Sequence, residues 1–159
     1  GLSDNIKVYD RTLRLDSILA KAKKLKKQGK LDVLIVDYLQ LIECDKKQSR
    51  EQEVSYISRR LKQLSKEIDI NVIALSQLSR APEQRADHRP ILSDLRESGA
   101  IEQDADVIIF CYRDEYYNAE TEEKGIMEMI IGKNRNGAPG IVKTAWLPQY
   151  QRISNLEVM

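Results

Sequence analysis

Apolar residues recur along the chain with two different periods, and the change of period divides it into elements. Between Asp16 and Gln28, the residues Ile18, Ala22 and Leu25 step by four and three, the spacing of one helix face. Asp16 or Ser17 can cap the start of this helix, and Gly29 stands where a helix commonly stops. The lysines of AKAKKLKKQGK fall on its remaining faces. They read as a solvated surface whose charge suits the C-terminal end of the helix dipole, with a DNA-contacting stripe as the alternative. A stronger helix is predicted over Glu51–Asp69, where Val54, Ile57, Leu61, Leu64 and Ile68 form one apolar stripe among Arg, Lys and Glu. Three short apolar runs, Val33–Val36, Asn71–Ser76 and Asp106–Cys111, are rich in β-branched residues and predict strands buried on both faces, as in parallel sheets covered by helices. Asn5–Tyr9 alternates apolar and polar residues and predicts a further short strand. Toward the C-terminus, Ile126–Ile131, Ile141–Trp146 and Tyr150–Ser154 predict strands separated by Gly- and Pro-bearing turns, Asn136–Gly137 being a type I′ turn signal. Leu78–Gly99 is a polar stretch with Pro82 and Pro90, long for a connection, and long ordered loops tend to be functional. Ser93–Glu97 suits a helical turn within it. The order is that of an α/β fold with an antiparallel appendage.

Composition narrows the function. The chain has 159 residues, 26 Lys plus Arg against 25 Asp plus Glu, and a net charge of +1. That length suits one domain with a real core, and the charge balance excludes a simple polycationic DNA-coating protein. Two distant cysteines, Cys44 and Cys111, and a single histidine, His88, argue against a zinc site or disulfide framework and favour a reducing cytoplasm. No apolar run approaches the ~20 residues of a membrane span, and GLSDNIKVYD lacks the pattern of a signal peptide.

Polar residues at the ends of the apolar runs carry the candidate chemistry. In open α/β sheets ligands bind at the carboxyl ends of the strands. Asp37, directly after Leu-Ile-Val, suits a water-mediated magnesium ion beside nucleotide phosphates; a turn or helix-capping role is the alternative. The Gln77 amide can donate to a γ-phosphate or orient a water, or simply bond to backbone. Lys133 and Arg135 in IIGKNRNGAPG sit two apart at a strand end, so strand alternation projects both to one side, a pairing that suits a phosphate. The segment Ser93–Asp106 is acidic, with only Arg96 basic; on composition it favours capping and loop structure over DNA binding. No G-x-x-x-x-G-K-S/T phosphate loop is present, since Gly132–Gly137 is followed by Ala138–Pro139.

Taken together, LDVLIVDYLQLI, NVIALSQLSRAPEQRADHRPILSDLRESGAIEQDADVIIFCYRDE and GIMEMIIGKNRNGAPG resemble the C-terminal RecA-like motor domain of the DnaB family of replicative helicases, from about Leu31 to Ile153. The resemblance implies a RecA-like parallel sheet flanked by helices, with C-terminal antiparallel hairpins over residues 125–154. It makes residues 1–159 a single partial ATPase domain, with core motifs over 31–137. It implies that the Walker A loop, its strand and the catalytic glutamate lie upstream of this stretch, so that an apolar slot is left where that strand belongs. The implied cofactors are ATP and Mg2+. Asp37 would be the Walker B aspartate and Gln77 the γ-phosphate sensor, while Lys133 and Arg135 would reach ATP on the adjacent subunit, Arg135 as arginine finger. Arg96, Glu97 and Gly99 match the loop that grips single-stranded DNA. A homohexameric ring, with primase and a helicase loader as partners, is implied as well. The alternatives are a non-catalytic module that supplies a subunit interface, and a recombinase-like filament ATPase.

Overall fold

The computed structural model of the protein describes residues 5–11, 14–45 and 49–156; of residues 96–98 it describes the backbone alone. The chain forms two compact units, residues 1–77 and 78–159.

In the first unit, α1 (Leu15–Lys27) buries Leu15, Leu19 and Ala22. The Leu15 N–H donates to the Glu43 carbonyl at 2.8 Å. That bond satisfies the first turn from outside, so the helix starts at Leu15 with Arg14 preceding it and no side-chain cap, rather than from a cap at Asp16 or Ser17. Its end is the expected one. Gly29 takes φ +67°, Gly29 N–H donates to Lys26 O at 2.9 Å and Lys30 N–H to Leu25 O at 3.0 Å, the two bonds of a Schellman motif. The second helix, α2 (Arg50–Ile68), buries Val54, Ile57, Leu61 and Leu64, with Ser49 accepting from Gln52 N as its N-cap. The lysines of α1 serve packing as well as solvation: Lys23 pairs with Glu67 at 2.6 Å and Lys26 donates to Asp69 O at 2.8 Å.

Between and after these helices run β1 (Val33–Val36) and β2 (Asn71–Ala74), paired in parallel with Val33 opposite Asn71 and Val36 opposite Ala74. Only one face of this ribbon is covered. Val33, Ile35 and Ile73 share the other and are 43%, 63% and 53% exposed, so the expectation of strands buried on both faces fails here. Asn5–Tyr9 forms no strand. Alternation alone does not hold an extended segment without a partner edge; Ile6 and Val8 stay exposed, and the Lys21 ammonium lies 3.7 Å over the Tyr9 ring.

The second unit begins with the Leu78–Gly99 stretch, which contains 3-10 turns at Ala81–Gln84 and Leu92–Ser98. It continues through α3 (Gly99–Asp104) into a four-stranded antiparallel sheet. The strands are β3 (Val107–Tyr112), β4 (Ile126–Asn134), β5 (Gly140–Leu147) and β6 (Arg152–Ser154), in that spatial order. The third apolar run, β3, thus pairs antiparallel with β4, and its burial alternates: Ile108, Phe110 and Tyr112 are buried while Val107 and Ile109 are not. Ile109 faces Ile131 but Ile108 faces Lys133, leaving Gly132 as an extra residue in β4. A Cβ at Gly132 would lie 2.6 Å from Phe110 Cε2, so the bulge sits where only glycine fits over the ring. At the following turn Asn136 and Gly137 do not take positive φ, so no type I′ turn forms. The Asn134 side chain closes the turn instead, accepting from Asn136 N at 3.3 Å. A Cβ at Gly137 would meet that side chain at 2.7 Å.

Candidate functional site

Parallel pairing sets the carboxyl ends of β1 and β2 side by side. The ladder runs on past the strands, with Leu75 N donating to Val36 O and Leu39 N to Leu75 O, both at 2.9 Å. Asp37 leaves β1 at this end and Gln77 leaves β2. Both are exposed, and neither side chain has a hydrogen bond or ion pair among the described residues. Polar groups placed at strand ends and left unengaged by their own chain are available to a ligand.

Gln40, which the sequence reading did not single out, ties the two ends together. Its Oε1 accepts from Gln77 N at 3.2 Å, and its Nε2 donates to Ser76 Oγ at 3.0 Å and reaches Gln77 O at 3.4 Å. Arg50, from the first turn of α2, donates to the Gln40 carbonyl. The Gln77 backbone is therefore held from the β1 side while its side-chain amide stays free to turn. No group of three His, Cys, Asp or Glu that could hold a metal occurs among the described residues. The one hard carboxylate, Asp37, fits Mg2+, which takes one or two carboxylates and completes its shell with water and phosphate oxygens.

In the second unit, Leu78–Gly99 is fixed by charges buried against its own sheet. Asp94 is 1% exposed; it accepts from Ile91 N at 2.8 Å and from both terminal nitrogens of Arg85, one at 2.9 Å. Burial pushes the Asp94 carboxyl up, but the Arg85 hydrogen bonds and the Ile91 N–H outweigh it and hold the carboxyl below its ordinary value. Arg89 makes a bidentate pair with Glu128 on β4, at 2.8 and 2.6 Å, and lies 4.7 Å over the Tyr112 ring. Tyr112 and Glu128 are cross-strand partners, so one guanidinium spans both strands. The Tyr112 hydroxyl contacts Asp114 Oδ1 at 2.7 Å. Burial first, then this carboxylate, push the phenol up to about 12. His88, with φ +51°, stacks on Tyr117 at 4.4 Å and contacts Pro82 O at 3.1 Å. It is a packing residue, and Tyr112 and Tyr117 are engaged inside the chain while Tyr116 is 71% exposed.

This frame leads into the segment matched to DNA contact. The side chains of Arg96 and Glu97 lie outside the described residues. Gly99 opens α3 with φ −48°, and a Cβ there would meet nothing within 4 Å. Lys133 and Arg135 are brought together at the end of β4. Lys133 Nζ donates to Glu102 O at 2.5 Å, Arg135 pairs with the Asp106 carboxylate at 2.9 Å, and Arg135 N donates to Asp106 O at 2.8 Å. Trp146, on β5, lies 5.1 Å from the Arg113 guanidinium, a packing contact within the sheet.

Comparison with known proteins gives this arrangement a context. The family model of the DnaB-like helicase C terminal domain matches residues 3–155. The replicative DNA helicase DnaB of Geobacillus stearothermophilus is 52% identical over 148 residues, 92% of this chain and 33% of that protein. The replicative DNA helicase DnaC of Bacillus subtilis (strain 168) is 52% identical over 147 residues, 91% of this chain and 32% of that protein. The chain thus spans about a third of the length of these relatives. Among solved structures, one ATPase domain is 50% identical, with a TM-score of 0.86 over 91% of this chain and 52% of that one. A DnaB-like replicative helicase studied for its interactions with primase is 49% identical, with a TM-score of 0.91 over 96% of this chain and 38% of that one. With the RecA-like ATPase fold shared and sequence similarity running nearly end to end, the chain belongs to the DnaB-like helicase C-terminal domain family.

Proposed function

We propose that this chain is part of the motor of an ATP-driven replicative helicase, a homohexameric ring that unwinds duplex DNA by translocating on single-stranded DNA. The observation that carries the reading is the pair of exposed, unengaged side chains, Asp37 and Gln77, at adjacent carboxyl ends of parallel strands. Asp37 acts as the Walker B aspartate and would hold Mg2+ through water; a bound ion would supply neutralisation of nucleotide phosphate charge there. Gln77 turns its free amide toward the γ-phosphate and, with its backbone tied to Gln40, passes loss of that phosphate into the chain that follows. Lys133 and Arg135 serve the nucleotide of the adjacent subunit, Arg135 stabilising transition-state charge as an arginine finger. Arg96, Glu97 and Gly99 contact single-stranded DNA, partly through backbone amides; the open space around the Gly99 α-carbon supports a close backbone approach. Residues 1–159 are then part of one RecA-like domain, and primase and a loader are partners of the whole protein.

The test is made in the full-length protein. Asp37→Ala and Arg135→Ala each lower the ATPase rate at least about hundredfold, and mixing the two inactive variants restores part of it, because each ring then contains interfaces with both groups intact. Recovery absent at every mixing ratio would overturn the trans assignment. The 159-residue polypeptide alone, which contains no G-x-x-x-x-G-K-S/T, is expected to hydrolyse no ATP. Turnover abolished by Asp37→Ala in that polypeptide would refute this.

A further inference from the structure

Lys133 and Arg135 already have partners inside the chain, and those partners share one corner. β4 delivers both cations to the point where α3 gives way to β3. Lys133 takes the Glu102 carbonyl in the last turn of α3, at 2.5 Å, and Arg135 takes the Asp106 carboxylate just before β3, at 2.9 Å. α3 begins at Gly99. The cations assigned above to a phosphate therefore hold the far end of the helix that opens at the DNA-contact segment.

The Arg135–Asp106 pair is built to be exchanged. Its side chains are 50% and 51% exposed, and ion pairs that open to solvent are weak. A polyphosphate offers more charge and more acceptor oxygens to the same two donors, and Arg matches phosphate geometry with two parallel bonds. The backbone bond from Arg135 N to Asp106 O survives such an exchange, so the strand end stays in place while the side chains change partners.

We propose that Asp106 is an internal stand-in for phosphate: with the Glu102 carbonyl it holds Lys133 and Arg135 in cis, and a polyphosphate draws them away. Asp106 is then a positioning residue that sets the affinity of the cation pair, and loss of the Lys133–Glu102 contact loosens the end of α3. This deepens the proposed function and rests on its reading of Lys133 and Arg135 as phosphate ligands.

The experiment uses the full-length protein with inorganic tripolyphosphate as the probe. Calorimetry isolates the component of binding that is lost in Lys133→Met and Arg135→Ala. Asp106→Asn tightens that component about two- to fivefold, the range expected for removing a competing exposed ion pair, and Asp106→Glu restores the original affinity. Amide hydrogen exchange gives a second readout, because Ala105 N donates to Ile101 O at the end of α3. Exchange at Gln103–Ala105 speeds up when tripolyphosphate binds, and is already fast without it in Lys133→Met. Should no component of binding depend on Lys133 and Arg135, the phosphate assignment itself falls. If the component is present but Asp106→Asn leaves it unchanged or weaker, or if exchange at Gln103–Ala105 does not respond, the assignment stands and the stand-in proposal is overturned.

Discussion

Replacing Gly132 by alanine tests whether the bulge in β4 is a steric necessity. The new Cβ would stand 2.6 Å from Phe110 Cε2 and 3.4 Å from Leu92 Cδ2, where carbon atoms prefer about 3.5–4.0 Å. Something must yield by roughly 1 Å, and the options are few. Phe110 is 5% exposed, and β4 is paired on both sides, to β3 and β5. Overpacking of this kind costs about 1–3 kcal/mol. Gly132 does not have a positive φ, so alanine also removes freedom from the unfolded chain, which returns about 0.4–1 kcal/mol. The net expectation is a loss of about 1–2 kcal/mol, or about 3–6 °C in Tm for a chain of this size. Trp146 is the only tryptophan and lies in the same sheet, so its fluorescence during urea unfolding follows the change. The decisive step is the double variant. Phe110→Leu opens space under the new methyl, so the two substitutions together should cost at least about 1 kcal/mol less than the sum of their separate effects. A neutral Gly132→Ala, or strict additivity with Phe110→Leu, would refute the reasoning.

Two further outcomes follow from the site. Gln40→Ala removes the acceptor of Gln77 N and the donor to Ser76; in the full-length protein it should cost about 0.5–1.5 kcal/mol per lost bond yet reduce stimulation of the proposed ATPase by single-stranded DNA more than the DNA-free rate, and an equal fall in both rates would separate Gln40 from the sensing role proposed for Gln77. The Asp94 carboxyl is held below its ordinary value by Arg85 and Ile91 N–H, so its stabilising contribution is complete above the unfolded value of about 3.9 and disappears as pH falls through the lower folded value. In Arg85→Met burial, the largest single influence, is opposed only by the Ile91 N–H and raises the folded value, so acidification toward about pH 4 should stabilise that variant; protection of the Ile91 amide, corrected for intrinsic exchange, reads both signs, and a parallel decline in the two proteins would contradict the assignment.

Periodicity made the helices and strands legible, because burial acts on every turn of a helix and every second residue of a strand. The stripe Val54, Ile57, Leu61 and Leu64 is the buried face of α2, and Gly29 ends α1 through a positive φ that few other residues take without strain. Apart from the turn at Asn136–Gly137, where a neighbouring side chain decides, the failures share one cause: the deciding partner is distant in sequence. Asn5–Tyr9 alternates like a strand but pairs with no strand among the described residues. α1 starts where Glu43 O meets Leu15 N, a bond that no local capping pattern encodes. Asn136–Gly137 carries a hairpin signal, but the Asn134 side chain closes that turn in another way. The strand-end positions of Asp37 and Gln77 were readable from the runs that precede them. Gln40 was not, since an amide that bridges two loops leaves no period. Lys133 and Arg135 were placed on one side by alternation; their partners, Glu102 O and Asp106, depend on the antiparallel pairing of β3 with β4, which the apolar run of β3 did not announce.

The difference in burial between the two sets of ion pairs has a consequence in ionic strength. Asp94 and Glu128 are 1% and 4% exposed at their side chains, whereas Arg135 and Asp106 stand about half in solvent at 50% and 51%. At physiological salt the screening length is about 8 Å, and it shortens further in concentrated salt, but screening acts mainly on charges that water can reach. Added electrolyte therefore loosens the cation corner while the frame of Leu78–Gly99 keeps its shape. Within one small unit, the contacts that order the backbone and the contacts that exchange partners answer to different solvent conditions, so salt separates the two without unfolding either.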